Sequence, residues 1–115
     1  MGRTDQQRKG QLGEDAALEH LLSHGLVLVA RNFLCKGGEL DLVMCDGPHL
    51  VFVEVRRRRS RAFGGAAASI TPAKQRRMKL AAQVFLLRYR KLPPCRFDVV
   101  AIDGDTIGWL KNVLD

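Results

Sequence analysis

The sequence predicts an α/β domain in which a sheet is covered by two helices, with elements in the order α-β-β-β-α-β-β. Three observations lead there. Apolar residues recur at helical spacing in two segments, one at the start and one two-thirds along the chain. Between and after them lie short apolar runs separated by glycine- and proline-containing turns. The 115 residues show no repeat and no linker, so residues 1–115 form one domain, long enough to bury roughly two-thirds of its unfolded surface.

Each element follows in order. Thr4, with Gln7 three residues on, forms a capping box. The helix it opens runs to about His24 and is ended by Gly25. Leu26 to Asn32 reads as a short strand and Lys36-Gly37-Gly38 as a turn. Glu39 to Cys45 and Leu50 to Arg56 are strands joined by the turn Asp46-Gly47-Pro48-His49. Ser60 to Ser69, rich in glycine and alanine, has no apolar period and reads as a loop. Thr71-Pro72 opens the second helix, with proline at its first position. That helix runs to about Lys91, with Leu80, Val84 and Leu87 on its apolar stripe and Ala81 and Phe85 beside them. Pro93-Pro94 stop it; Arg96 to Ile102 and Thr106 to Leu110 are the last strands.

Composition narrows the function classes. There are 19 Lys+Arg against 12 Asp+Glu, a net charge of +7, which points to a polyanionic partner. No run approaches the ~20 apolar residues that span a bilayer, and the first nine residues lack the apolar core of a signal peptide. No membrane association is expected. Cys35, Cys45 and Cys95 are odd in number and contain no C-x-x-C pair, which suits a reducing, cytoplasmic location.

Charges stand where a core should be. On a helical wheel Glu14 falls among Ala17, Leu18 and Leu21, whereas Asp15, Glu19 and Ser23 face away. An inward carboxylate is costly unless it is paired or bound to a metal. Gly13 beside it leaves room for close approach by a strand or ligand. The run from Leu50 is apolar on both faces until Glu54, as a central strand would be. Closing the hairpin symmetrically between Gly47 and Pro48 sets Cys45 against Leu50. Asp41 then stands against Glu54, and Glu39 against Arg56. Facing residues share a side of the sheet at about 4.5–5.5 Å between Cβ atoms.

Two carboxylates so close repel each other unless a hard cation lies between them. Mg²⁺, or Mn²⁺ in its place, lying between Asp41 and Glu54 suits phosphodiester cleavage, since the ion polarises phosphoryl groups and acidifies water. A structural ion network, with Arg56 and Lys74 neutralising the carboxylates, answers to the same residues. So does a Glu14 at the core's rim that reaches water.

Basic residues adjoin this cluster. Arg56, Arg57, Arg58, Arg59 and Arg61 follow Glu54, and the second helix adds Lys74, Arg76, Arg77 and Lys79. Nine basic residues and one acidic residue thus lie between Glu54 and Lys79, an excess that accounts for the whole net charge. Such a segment fits a phosphate backbone, bound without regard to sequence. Aromatic content is only 6%, which favours duplex or branched nucleic acid over a single-strand stacking platform. His20 and His24 stand at i, i+4 but lack the H-E-x-x-H pattern.

Gly13-Glu14, Arg31-Asn32, Gly38-Glu39-Leu40-Asp41-Leu42, Phe52-Val53-Glu54-Val55-Arg56 with Arg58, Phe63-Gly64, Lys74 and Arg96-Phe97-Asp98-Val99-Val100 resemble the YraN-type family of small bacterial proteins. That family is similar to archaeal Holliday-junction resolvases, within the PD-(D/E)xK, restriction-endonuclease-like fold. The resemblance implies a mixed central sheet flanked by helices. It also implies Mg²⁺ ligation by Glu14, Asp41 and Glu54. We read the nucleic acid as DNA, favoured over RNA. Resolvase-like activity would bring a homodimer with it.

One position departs from the motif. Its usual Glu-x-Lys is here Glu54-Val55-Arg56. Arginine stays charged and orients phosphate but is no base, which leaves Lys74 as the amine that could serve. The sequence therefore supports an endonuclease, a catalytically silent nucleic-acid-binding module that keeps the fold, and an interaction protein whose charge network only stabilises it.

Overall fold

The computed structural model describes residues 5–58 and 70–114, without the side chains of residues 5–10 and 58. The Thr4 cap, the Ser60–Ser69 loop, Phe63-Gly64, Arg59 and Arg61 lie outside the described residues. The elements are α1 (Asp5–Ser23), β1 (Val27–Cys35), β2 (Gly38–Asp46), β3 (His49–Arg58), α2 (Pro72–Leu86), β4 (Cys95–Asp103) and β5 (Thr106–Leu110). The predicted order holds.

The strands form one mixed sheet in the order β1-β2-β3-β4-β5. Only β3 and β4 run parallel, because the connection between them is a crossover through α2 rather than a tight turn. β3 is the central strand, and Leu50 to Glu54 are all buried. Its alternate residues feed two cores. Val51 and Val53 join Ala17, Leu21, Met44 and Val100 under α1. Leu50 and Phe52 join Met78, Ala81 and Phe85 under α2.

The hairpin closes as expected. Cys45 faces Leu50 and Leu42 faces Val53, with Gly47 at φ +57 in the turn. The ladder stops at Leu42–Val53, however, so neither Asp41–Glu54 nor Glu39–Arg56 forms as a ladder pair; on its other side Glu39 pairs with Leu34 of β1.

Three other expectations are corrected. β1 extends beyond Asn32 to Cys35, with Asn32 at φ +52, a left-handed conformation that asparagine tolerates. α2 ends at Leu86, not Lys91. Its last turns tighten to i→i−3 bonds, and the Arg88 Nε donates to the Phe85 carbonyl at 3.1 Å. The buried face of α2 is Met78, Ala81, Ala82 and Phe85, whereas Leu80 is exposed and Leu87 is 82% exposed. The small Ala81 lets the helix sit on Gly38, where an added Cβ would lie 3.1 Å from the Ala81 side chain and would strike the Arg77 carbonyl. That close approach decides the helix's rotation. At Gly13 a Cβ would make only ordinary contacts with Arg57 and Ile102, so no tight approach occurs there.

Candidate carboxylate site at the sheet end

The site begins where two strands lose their alternation together. In β2, Leu40 and Val43 face α2, whereas Leu42 and Met44 face α1. The face therefore switches around Asp41. In β1, Ala30 and Phe33 both lie against the α2 core, so it switches around Asn32 as well. On this strand pair the register runs Arg31–Leu42 and Phe33–Leu40, which sets Asn32 abreast of Asp41. With the β2–β3 ladder ended, the Asp41 carboxylate does the ladder's work: its Oδ2 accepts the Val55 N–H at 2.8 Å.

That bond brings Asp41 beside Glu54. Burial, the Glu54 charge and the more distant Glu14 charge push the Asp41 carboxyl up to about 8, against the Val55 hydrogen bond. The two carboxyls are close enough to hydrogen-bond through one proton. Glu54 itself is 4% exposed. Two cations meet its Oε1: Lys74 Nζ at 3.2 Å and Arg56 Nη1 at 3.5 Å. Arg56 shares its face by strand alternation. Lys74 arrives from the first turn of α2, where Thr71 Oγ1 accepts the Lys74 N–H at 3.2 Å and Pro72 supplies the helical φ.

Glu14 stands at the margin. Its carboxyl is raised chiefly by burial, while Arg31 at 3.7 Å and a hydrogen bond from Asn32 oppose the shift. Arg31 holds Asp15 more tightly, at 2.7 Å. Among the described residues, no three His, Cys, Asp or Glu side chains are gathered as a ready-made metal cage. Asp41 and Glu54 are brought together; Glu14 is near them but engaged with Arg31 and Asn32.

Arg31 and Asn32 are therefore site residues that composition and periodicity do not single out. A left-handed asparagine inside a strand leaves no mark on hydrophobic pattern, and only the motif resemblance points there.

The basic residues divide. Arg57 turns to the α1 face, packing near Gly13 and away from Arg56. Arg58 ends β3, its backbone in register with that of Asp103 on β4. Arg76 and Arg77 are exposed on α2, Arg77 lying 3.9 Å from Glu39. His20 and His24 stack at 4.4 Å and set their edges against Trp109. They form a packing cluster away from the carboxylates.

Chemically, the arrangement is a close pair of buried carboxyl groups, with the Asp41 carboxyl raised by burial and by its neighbour, and an amine and a guanidinium set against Glu54. The fold and site thus define an α/β domain with an acidic pair at the open end of its central hairpin, framed by cations. Residues 13–102 match the uncharacterised protein family UPF0102, and the chain belongs to that family, the YraN-type group its motifs resemble. A UPF0102 protein of Herminiimonas arsenicoxydans is 58% identical over 113 residues, covering 98% of this chain and 91% of that protein. One from Janthinobacterium sp. (strain Marseille) is also 58% identical, covering 98% and 92%. One from Cupriavidus taiwanensis is 59% identical over 111 residues, covering 95% and 84%. No helix among the described residues is long and apolar enough to cross a membrane.

Proposed function

We propose that this protein is a metal-dependent endonuclease of the restriction-endonuclease-like kind that acts on DNA, branched or junction DNA in particular. The observation that carries the reading is the Asp41–Glu54 pair, with Lys74 Nζ 3.2 Å from Glu54. Asp41 and Glu54, with Glu14 at the margin, would hold Mg²⁺ or Mn²⁺. The donor set fits, since Mg²⁺ needs only one or two protein carboxylates and completes its shell with water and phosphate. A dication also relieves the repulsion that keeps a proton on Asp41. When bound, the ion polarises the phosphoryl group and acidifies a water.

The chain's own residues do the rest. Asp41 and Glu54 would supply the carboxylate oxygens that hold the ion. Lys74 contributes an amine at the position where the motif's usual lysine is replaced by Arg56, and Arg56 orients phosphate oxygens by its fixed fork. Arg57, Arg58, Arg59, Arg61, Arg76 and Arg77 would seat the backbone.

Incubation with duplex, flapped and four-way DNA in Mg²⁺ or Mn²⁺ tests this. The expected result is cleavage of at least one substrate, lost in Asp41→Asn. No cleavage of any substrate, or equal cleavage by the variant, overturns the reading.

A second reading has its own observation: both cations near Glu54 point at the carboxylate itself. A silent nucleic-acid-binding module would bind DNA in a salt-sensitive way without cutting it, and Arg56→Lys would restore cleavage.

A further inference from the structure

From Val55 to Phe97 the chain has no acidic residue in 43 positions and holds 13 of its 19 basic residues. Nine of them lie at or before Lys79. The other four are Arg88, Arg90, Lys91 and Arg96. Arg96 is committed internally, bonding Asp98 at 3.1 Å and Asp46 at 2.8 Å. Arg88, Arg90 and Lys91 follow the end of α2, and all three are exposed.

Their place in the fold is fixed at both ends of α2. The helix begins at the carboxylate pair, where Lys74 meets Glu54. The segment that follows it reaches the start of β3, where the Leu50 N–H donates to the Pro94 carbonyl at 2.8 Å. The 15 residues of α2 span about 22 Å. Arg76, Lys79 and Gln83 are exposed along its outer face. Arg88 is braced by aromatic rings rather than by an anion, its guanidinium 3.7 Å from the Phe85 centroid and 5.5 Å from that of Phe33.

We infer that Arg88, Arg90 and Lys91 form a second phosphate-binding pole, so that a bound duplex lies along α2 from the carboxylate pair to this pole. Exposed cations thus stand on α2 at Arg76 and Lys79 and again just beyond its end at Arg88, Arg90 and Lys91. At ~3.4 Å of axial rise per base pair, about 22 Å corresponds to six or seven base pairs of a duplex lying along the helix. The inference rests on the nucleic-acid part of the proposed function and does not require cleavage.

Fluorescence anisotropy in EDTA with a 20-bp duplex tests it, over a series of salt concentrations. Arg90→Gln with Lys91→Gln should lower the slope of log affinity against log salt by about 1.8, at 0.9 per lost contact. Lys111→Gln, an exposed cation off this row, should leave the slope unchanged. An unchanged slope in the double variant, an equal loss per charge in Lys111→Gln, or no duplex binding by the parent protein overturns the inference. So does loss of binding to phosphatidylglycerol vesicles without loss on DNA. A parent that binds with the expected slopes but never cuts supports the pole while removing the hydrolytic reading.

Discussion

Asp41 shows how one side chain can cost stability and still be retained in a fold. Folding lifts its carboxyl from 3.8 to about 8, so the folded chain keeps a proton that the unfolded chain releases. Linkage then gives the sign: this contribution to stability is complete below about pH 4 and is lost as pH rises towards 8. Asparagine keeps the oxygen that accepts from Val55 and removes the charge that Glu54 and Glu14 oppose. Asp41→Asn is therefore expected to stabilise the metal-free protein at pH 8 by at least about 1 kcal/mol, since one pKa unit corresponds to about 1.4 kcal/mol. It should also flatten the dependence of stability on pH between 4 and 8. Urea melts of both proteins in EDTA at several pH values measure this; a less stable variant at pH 8 would contradict it. The pair itself is legible in the sequence, because hairpin symmetry puts residues 41 and 54 together. What is not legible is the break at Asn32 and Asp41, which turns the ladder position into a side-chain contact.

Among the elements, those defined by local chemistry are read best. Gly47-Pro48 sets the hairpin register, and β5 has the predicted bounds, Thr106–Leu110. α2 is read less well, because its rotation depends on a neighbour. A wheel weighted by size favours Leu80 and Leu87, but the contact with Gly38 selects the smaller Ala81. Gly38→Ala is thus expected to destabilise the fold by about 1–3 kcal/mol through overpacking, measured by thermal or urea melts. A loss below about 0.5 kcal/mol would mean that α2 yields freely at this contact. The far edge of the sheet depends on Asp98, which is 0% exposed. It accepts from Arg96 Nε at 3.1 Å, Trp109 Nε1 at 2.9 Å and the Asn112 N–H at 3.0 Å. Asp98→Ala removes the shared acceptor of three part-buried donors, while Arg96 keeps Asp46, and should cost about 1–3 kcal/mol. Loss of the native Trp109 fluorescence environment at lower urea would report it. Retention of the parent midpoint would show that these bonds are replaced.

At the scale of the whole molecule, the acidic pair and the basic excess are two halves of one balance. Without a ligand, Lys74 and Arg56 stabilise Glu54, and a dication must compete with them for that carboxylate. On the proposed reading, a phosphate strand arriving on the basic segment would give both cations another anion and leave Glu54 freer for metal. Metal in turn would draw the next phosphate. Binding of the two ligands would then be coupled, and coupling between binding equilibria is reciprocal. Ca²⁺, a hard dication with the same preference for oxygen ligands, serves as the probe. Duplex affinity at fixed ionic strength should rise about 5-fold or more when Ca²⁺ is added, within the usual range of such couplings. Ca²⁺ affinity should rise by the same factor when duplex is present. In Lys74→Gln much of the factor should vanish, because Glu54 then has one fewer competitor in the free protein. Simple screening predicts the opposite sign, since a dication weakens a purely electrostatic complex with DNA. A Ca²⁺-induced loss of duplex affinity would show that the carboxylates and the arginines act separately, the first as structure and the second as a binding surface.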